Sequence, residues 1–403
     1  MRRAAVPTTV ITVARSFVAA AVFGYFFDLL HQTHGQLVNA EGRPFGDDWI
    51  NFWSGSYLTL HGRAAEVYDL NAFHAFQQTV VGPPLDGRLY AYPPVTLLLV
   101  VPFALIPYVP GLFVWLSASW YGFYRALKLA MPGRGVLLLA LATPAVLINA
   151  VAGQNGCWTA AFLGGGLALL ERRPYVAGAL LGMMAYKPHL ALLVPVALLA
   201  GRRWRAMAAA AATGGMLLGL SWLLFGPELW AHYVRNLTAF RHVIVDGAVS
   251  MRMVSVFVAA RSLGASVTAS YWLQAGFAAV ACVAVALAWF KNTPAELRNA
   301  LLLLGSCLVT PYVLDYDLVF GAIVVAWLWQ QPVQSTGAER ALQIGSGLFL
   351  LLPLVASPLG HLTGLAFGPL FILPLFVVAL RMSFAKQKET VAATQERLSS
   401  VQP

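Results

Sequence analysis

Apolar runs recur from Val10 to Leu380 with no long polar stretch between them, and that pattern removes most soluble architectures from consideration. A hydrocarbon core about 30 Å thick is crossed by about 20 apolar residues in a helix rising about 1.5 Å per residue. Runs of this kind lie near 10–30, 107–128, 136–150, 157–170, 175–187, 188–200, 204–225, 268–290, 298–312, 316–331, 341–357 and 363–380. Several are shorter than a full crossing, so they must sit in thinned bilayer, form re-entrant pairs or line a cavity. The sequence therefore predicts an all-α polytopic membrane protein with about 10–12 transmembrane helices in a single domain over 1–384, and a polar, disordered cytoplasmic tail over 385–403. Composition agrees, with 59% hydrophobic and only 10% charged residues, against roughly 25% charged in a soluble domain.

Short loops rich in Lys and Arg stay in the cytoplasm. Eighteen of the 26 basic residues, from Arg2 and Arg3 through Arg125, Arg172, Arg203 and Arg298 to Arg397, fall between spans on one side, with five of the 16 acidic ones. The other side holds more carboxylates than cations. Both termini are thus expected in the cytoplasm, and the net charge of +10 is a topology signal rather than a nucleic-acid footprint. The acid-rich outer face points to chemistry outside. The first apolar segment contains Arg15 and has no clean small-residue cleavage site before His31, so it reads as a retained span or signal anchor. Cys157, Cys282 and Cys307, an odd number in or beside apolar runs, read as packing residues rather than a disulfide or metal framework.

Two polar inserts fall on the outer side, 31–92 and 226–254, and a shorter one runs from Tyr312 to Asp317. In the first, Gly46-Asp47-Asp48 precedes Trp49-Ile50-Asn51-Phe52-Trp53, with aromatic and apolar residues at helical spacing as far as Leu60, which predicts an amphipathic helix lying at the membrane interface. A second short helix is expected from Asn71, and Tyr92-Pro93-Pro94 stops it and starts an apolar segment. The tryptophans read as an interfacial belt. Asp47 and Asp48 are adjacent carboxylates at the membrane boundary, where an ionised group is costly unless used or paired. One could cap the helix, which is worth about 1 kcal/mol, but a cap needs only one.

Taken in order, Asp48-Trp49 through Phe52-Trp53, Gly62, Tyr68-Asp69, Tyr92-Pro93-Pro94, Pro102, Pro107, Gly153-Gln154-Asn155, Lys187-Pro188, the Arg202-Arg203-Trp204-Arg205 turn and Pro311-Tyr312 with Asp315-Tyr316-Asp317 resemble bacterial glycosyltransferase family 87 over about residues 10–330. That resemblance implies a GT-C-type membrane enzyme of the bacterial cytoplasmic (inner) membrane, working on the periplasmic or exterior face. It implies a polyprenyl-phosphate sugar donor, typically mannose, and a lipid or glycan acceptor. It also implies that an aspartate of the first outer loop is the catalytic base, and Asp48 stands where the family's Asp-aromatic motif places it; Asp47, one residue along, would point elsewhere on a helix.

The chemistry agrees with that role, because a sugar hydroxyl needs a carboxylate within hydrogen-bond reach to take its proton as it attacks the anomeric carbon. The departing lipid phosphate needs a preorganised cation. Lys187, between two short apolar runs in Tyr186-Lys187-Pro188-His189, leads the phosphate-binding candidates, with snorkelling to the interface as the alternative. Arg241 and Arg252 follow, although outer-loop arginines often only contact lipid headgroups. Sugar- or acceptor-binding candidates are Gln154 and Asn155, which could equally tie helices together, His189, which could simply fill a polar niche, and the knot of Tyr312, Asp315 and Asp317. Asp-x-Asp invites a metal reading, but two carboxylates do not complete an octahedral site, so neither a metal nor any other cofactor is expected. Membrane lipids are the remaining partner; nothing in the sequence demands nucleic acid or a protein. The rival reading is a transporter or flippase of a lipid-linked or small anionic substrate, disfavoured by the absence of an internal repeat. A ligase moving a whole preassembled glycan would call for clustered outer arginines, whereas here they are scattered.

Overall fold

The computed structural model describes residues 8–32, 37–133, 135–245, 250–333 and 335–399, with the side chains of 8–10, 28–32, 238–245 and 386–399 outside that description. Among the described residues the chain is helical throughout; its extended pairings are two isolated bridges, Val38 with Pro44 and Met253 with Leu314. The helices are α1 (Thr8–Gln32), α2 (Trp49–Leu60), α3 (Leu70–Val81), α4 (Pro94–Val100), α5 (Tyr108–Ala130), α6 (Val136–Ala142), α7 (Pro144–Val151), α8 (Gly156–Leu169, with a π turn at Ala160–Gly164), α9 (Pro174–Gly182), α10 (Leu193–Ala200), α11 (Trp204–Val245), α12 (Val256–Ser262), α13 (Val267–Phe290), α14 (Ala295–Val309), α15 (Gly321–Trp329), α16 (Thr336–Thr363) and α17 (Gly368–Ser399).

Four of these are long and apolar enough to cross a bilayer: Trp204–Leu237 of α11, α13, α16 and Gly368–Ala385 of α17. Their outward faces stay apolar, with Leu223, Trp272 and Val283 more than half exposed, as side chains facing lipid would be. Shorter apolar helices, Pro94–Leu105, Gly156–Leu169, Pro174–Tyr186 and Pro188–Ala200, fill the middle of the molecule. Proline sits at the first turn of α4, α7 and α9, where its missing N–H costs nothing and its fixed φ starts a helix. Each proline therefore divides an apolar run into pieces, and the run expected near 136–150 is seen as α6 and α7. Helix α15 is apolar on all sides, α14 is so after Asn299 apart from Ser306, and both are almost wholly buried, which makes them the centre of the core.

The insert after α1 is built on α2 and α3. Asp69 caps α3, accepting from the Asn71 and Ala72 N–H groups at 3.0 Å each, as the second short helix from the sequence requires. α2 differs from expectation. Most of its residues are buried, packed against α3, α4 and the start of α5, and only a strip that includes Trp53, Tyr57 and Leu60 faces outward, so it is a core helix of the insert rather than one lying flat on an interface. The tryptophan belt is corrected in the same way. Trp49, Trp115 and Trp289 are buried, and each indole N–H donates to a backbone carbonyl, of Tyr108, Gln154 and Arg298 respectively, which removes the reason to stay near water. Trp204, Trp222 and Trp272 remain exposed.

At Gly226, with φ +75°, α11 turns, and Pro227 starts a new helical stretch. The insert expected over 226–254 thus opens with a break in the helix but continues as helix to Val245. It folds back onto the first insert: Leu229 packs with Tyr68 and Tyr90, and Asn236 Nδ2 donates to the Tyr90 carbonyl at 3.2 Å. The backbone of α17 runs as helix to Ser399, where the sequence reading has a disordered tail from 385; the Ala, Lys, Gln and Glu content of that stretch favours helix.

Candidate active site

Two glycines bring three distant segments together. Gly153, with φ +57°, lies so close to the Gly46-Asp47-Asp48 loop that a Cβ there would fall 2.1 Å from the Gly46 carbonyl oxygen. Across the same turn, a Cβ on Gly156 would fall 2.0 Å from the Tyr316 carbonyl oxygen. Only glycine permits both approaches. The Asp48 N–H donates to the Ala152 carbonyl at 3.2 Å, and the Gly156 N–H to Asn149 Oδ1 at 2.6 Å, which fixes the turn. Gln154 and Asn155 consequently stand between the insert that follows α1 and the 314–317 segment.

A continuous polar chain occupies that space. Asp48 accepts from Arg88 Nη1 at 2.9 Å and from Gln154 Nε2 at 2.8 Å. Gln154 Oε1 accepts from the Tyr92 hydroxyl at 3.2 Å, and Tyr92 accepts from Asn155 Nδ2 at 2.8 Å. Asn155 Oδ1 accepts from Lys187 Nζ at 3.0 Å, and Lys187 is paired with Asp317. The ammonium also lies 4.8 Å from the centre of the Tyr316 ring. Above this chain, Asp47 is ion-paired with Arg88 and with Arg43 at 3.3 Å, while Arg252 makes a two-pronged contact with Asp315, both bonds 3.1 Å, and stands 4.0 Å from Asp47.

Four carboxylates and four cations therefore share one cluster, yet they are not equivalent. The side chains of Asp317, Asp315 and Asp47 are 0%, 3% and 10% exposed, whereas Asp48 keeps 26%. Asp48 occupies the N-cap position of α2 but makes no capping hydrogen bond, so its oxygens are not committed to the helix. Burial, and then the adjacent Asp47 carboxylate, push its pKa above the ordinary aspartate range, against the pull of Arg88, the Gln154 amide and Arg252. A carboxylate in that condition holds a proton more readily than one in water.

Of the residues singled out from sequence, Asp47, Asp48, Gln154, Asn155, Lys187, Arg252, Asp315 and Asp317 meet here. His189 is half-buried, hydrogen-bonded to the Tyr312 backbone, one layer behind Lys187. The Arg241 side chain lies outside the described residues. The two acids of Asp315-Tyr316-Asp317 do not converge: one faces Arg252 and the other Lys187, so they do not form a joint cation seat. Sequence reasoning missed Arg88, Arg43 and the role of the Tyr92 hydroxyl. Arg88 carried a usable signal, a cation in an acid-rich insert just ahead of Tyr90-Ala91-Tyr92-Pro93.

The family model described as glycosyltransferase family 87 matches residues 90–311, more than half of the chain. The chain belongs to that family. It is accordingly a membrane glycosyltransferase, a transferase acting between a sugar donor and an acceptor. Of the cluster, the family match contains Tyr92, Gln154, Asn155, Lys187 and Arg252; Asp315 and Asp317 lie just past its end, and Asp47 and Asp48 well ahead of its start. No curated protein and no solved structure matches the chain.

Proposed function

We propose that the protein moves a hexose, mannose in the first instance, from a polyprenyl-phosphate donor to a lipid or glycan acceptor on the extracytoplasmic face of the bacterial inner membrane, and that Asp48 is the general base. One observation carries the assignment: within a buried cluster of paired carboxylates, Asp48 is the one with open surface, and its surroundings favour proton uptake. An acceptor hydroxyl at that surface gives its proton to Asp48 while its oxygen attacks the anomeric carbon. The bond from that carbon to the phosphate oxygen breaks, and the lipid phosphate leaves with the bonding pair. A single displacement inverts the anomeric centre, so a β-linked donor yields an α-linked product.

Charge grows on the leaving phosphate, and preorganised cations stabilise it. Arg252 is the best suited, because its side chain is 30% exposed and already held by Asp315 at the right side of Asp48. Arg88, tied to Asp47, Asp48 and Asp86, supports it. Lys187 is 2% exposed and spent on Asp317 and Asn155, so it acts beneath the site. The exposed apolar faces of the long helices leave the donor's tail in the bilayer, with the acceptor arriving from water or headgroups. Transfer from radiolabelled polyprenyl-phosphate mannose to membrane lipid extract, with chelator present, tests the reading. Wild type is expected to give product and Asp48→Asn none; equal product from both would remove Asp48 from the role.

A further inference from the structure

The hydrogen bonds between Lys187 and Asp48 all run in one direction. An ammonium can only donate, so the Asn155 atom facing it must be Oδ1, at 3.0 Å. That turns Asn155 Nδ2 onto the Tyr92 oxygen, at 2.8 Å, and leaves the Tyr92 proton for Gln154 Oε1, at 3.2 Å. The Asn155 backbone N–H points at the same Oε1, at 3.3 Å. Gln154 must then present Nε2 to Asp48 Oδ2, at 2.8 Å. Starting from the other end, an ionised Asp48 can only accept, and it demands the same orientation of every group. A cation and a carboxylate that do not touch thus dictate one polarity to the two amides and the hydroxyl between them.

From this geometry we infer that Lys187, Asn155 and Tyr92 are positioning residues which act through Gln154 to aim Asp48 and to hold it as a hydrogen-bond acceptor. The inference rests on Asp48 being the base. Reversing one link would set donor against donor at the next, so the chain resists any arrangement in which Asp48 turns away or donates. Lys187 is kept in register by Asp317, whose second oxygen accepts from the Leu314 N–H at 3.2 Å, and by the ring of Tyr316. Asp317 is therefore the counterweight that lets an ammonium remain buried at the foot of the chain.

Other charges also reach Asp48. Asp47 adjoins it in the loop, Arg88 approaches from the segment before α4, and Arg252 approaches from the segment before α12. Tyr108 faces it from α5 and Tyr316 from the segment before α15. None of these contacts passes through the amide chain, and all of them remain in Tyr92→Phe; Lys187 also acts on Asp48 directly through space, so its removal reports on the chain only in combination with Tyr92→Phe.

Tyr92→Phe removes one oxygen and keeps the ring, which separates Asn155 from Gln154. In turnover with saturating polyprenyl-phosphate mannose, its acid limb should move to higher pH. At a pH on the wild-type limb the variant should be about tenfold slower, while at the plateau it should stay within about threefold and donor KM within about twofold. Because Lys187→Met alone would strand the Asp317 carboxylate, the foot of the chain is removed as the pair Lys187→Met/Asp317→Leu, which should displace the limb in the same direction and add little to Tyr92→Phe. An unmoved limb with a tenfold higher donor KM in the pair variant would make Lys187 a donor ligand and overturn the inference. A second measurement is independent of transfer: infrared titration of the Asp48 carboxyl band, assigned by its loss in Asp48→Asn, in detergent-purified protein without donor. A band that protonates at higher pH in Tyr92→Phe upholds the chain even if the sugar or the reaction is wrong, and a band that titrates as in wild type refutes it whatever the enzyme transfers.

Discussion

Two charged clusters sit at opposite ends of α14, and they are built on different principles. Before its first turn and at Arg298, Glu171 is gripped by Arg298 and by Arg203, the latter at 2.8 Å; Asn292 links the two arginines, and Arg298 stacks 5.0 Å from the Trp289 ring centre. Past its last turn, about 22 Å away for a helix of 15 residues, lies the cluster of Asp47, Asp48, Arg88, Arg252, Asp315, Lys187 and Asp317. In the first, one carboxylate is outnumbered by guanidiniums and serves as a counter-ion clamping the α8, α10–α11 and α13–α14 turns. In the second, the acids are not outnumbered, and two carboxylates stand side by side. Exposure does not separate them, because the Glu171 side chain is 43% exposed against 26% for Asp48. What separates them is whether the neighbours stabilise the anion or crowd it with another.

The comparison breaks first at the two carboxylates. Asp48→Asn is expected to lower transfer by about 10³-fold, within the range a positioned general base contributes, without loss of folded protein on size exclusion. Glu171→Gln should do the reverse, leaving kcat within about twofold and lowering the melting midpoint in detergent, since a charge-assisted clamp is worth about 1–3 kcal/mol. A large loss of kcat in Glu171→Gln with no change of midpoint would show that the outnumbered carboxylate does chemistry after all.

A smaller effect distinguishes the arginines. Arg252→Ala is expected to lower kcat/KM by about 10²-fold, the loss typical of one preorganised donor facing a developing anion, and Arg252→Lys should recover only part of it because an ammonium cannot keep the two-pronged contact with Asp315. Arg203→Ala, at the opposite end of α14, should leave kcat/KM within about twofold. Steady-state kinetics at varied donor concentration decide between them.

Much of the fold is legible in the sequence, and the reason is the range of the forces involved. The apolar runs, the prolines that divide them and the Asp69 cap all act over a few residues, and α5, α9, α13 and α16 appear where periodicity places them. Charge sorting by loop also separated Glu171, Arg203 and Arg298 from Asp47, Asp48, Arg88, Arg252 and Asp315, and the two groups stand at opposite ends of α14. Partners were not legible. Lys187 and Asp317 are 130 positions apart, and nothing local to either says that the lysine turns inward to an aspartate rather than outward to a phosphate. The burial of Trp49 was hidden for a related reason: an aromatic run beside acids reads as an interface until the first half of α5 is known to cover it. Gly153 is the residue whose meaning changes most, from a loop glycine to the contact that seats the Asp48 loop. Gly153→Ala should therefore cost about 1–3 kcal/mol of stability and reduce transfer by more than the loss of folded protein, whereas Gly226→Ala, at a positive φ facing open space, should cost stability alone.

The finest distinction is one of pH. Since burial and Asp47 raise the Asp48 pKa, the basic form is lost as pH falls at a higher pH than for an ordinary aspartate, and the acid limb of kcat should lie above the usual carboxylate range. Arg88 works against that rise, so its removal has a definite sign. In Arg88→Gln the carboxylate of Asp48 loses its closest cation while Asp47, still held by Arg43, remains beside it. The proton is then bound more tightly, the limb moves further up, and turnover drops most at low pH and least at the plateau. Arg298→Gln, which removes a cation from the end of α14 that faces Glu171, should leave the limb where it is. A limb that moves down in Arg88→Gln, or one that moves equally in both variants, would mean that the titrating group is not Asp48 and that the crowding of two carboxylates is not what distinguishes this end of the molecule.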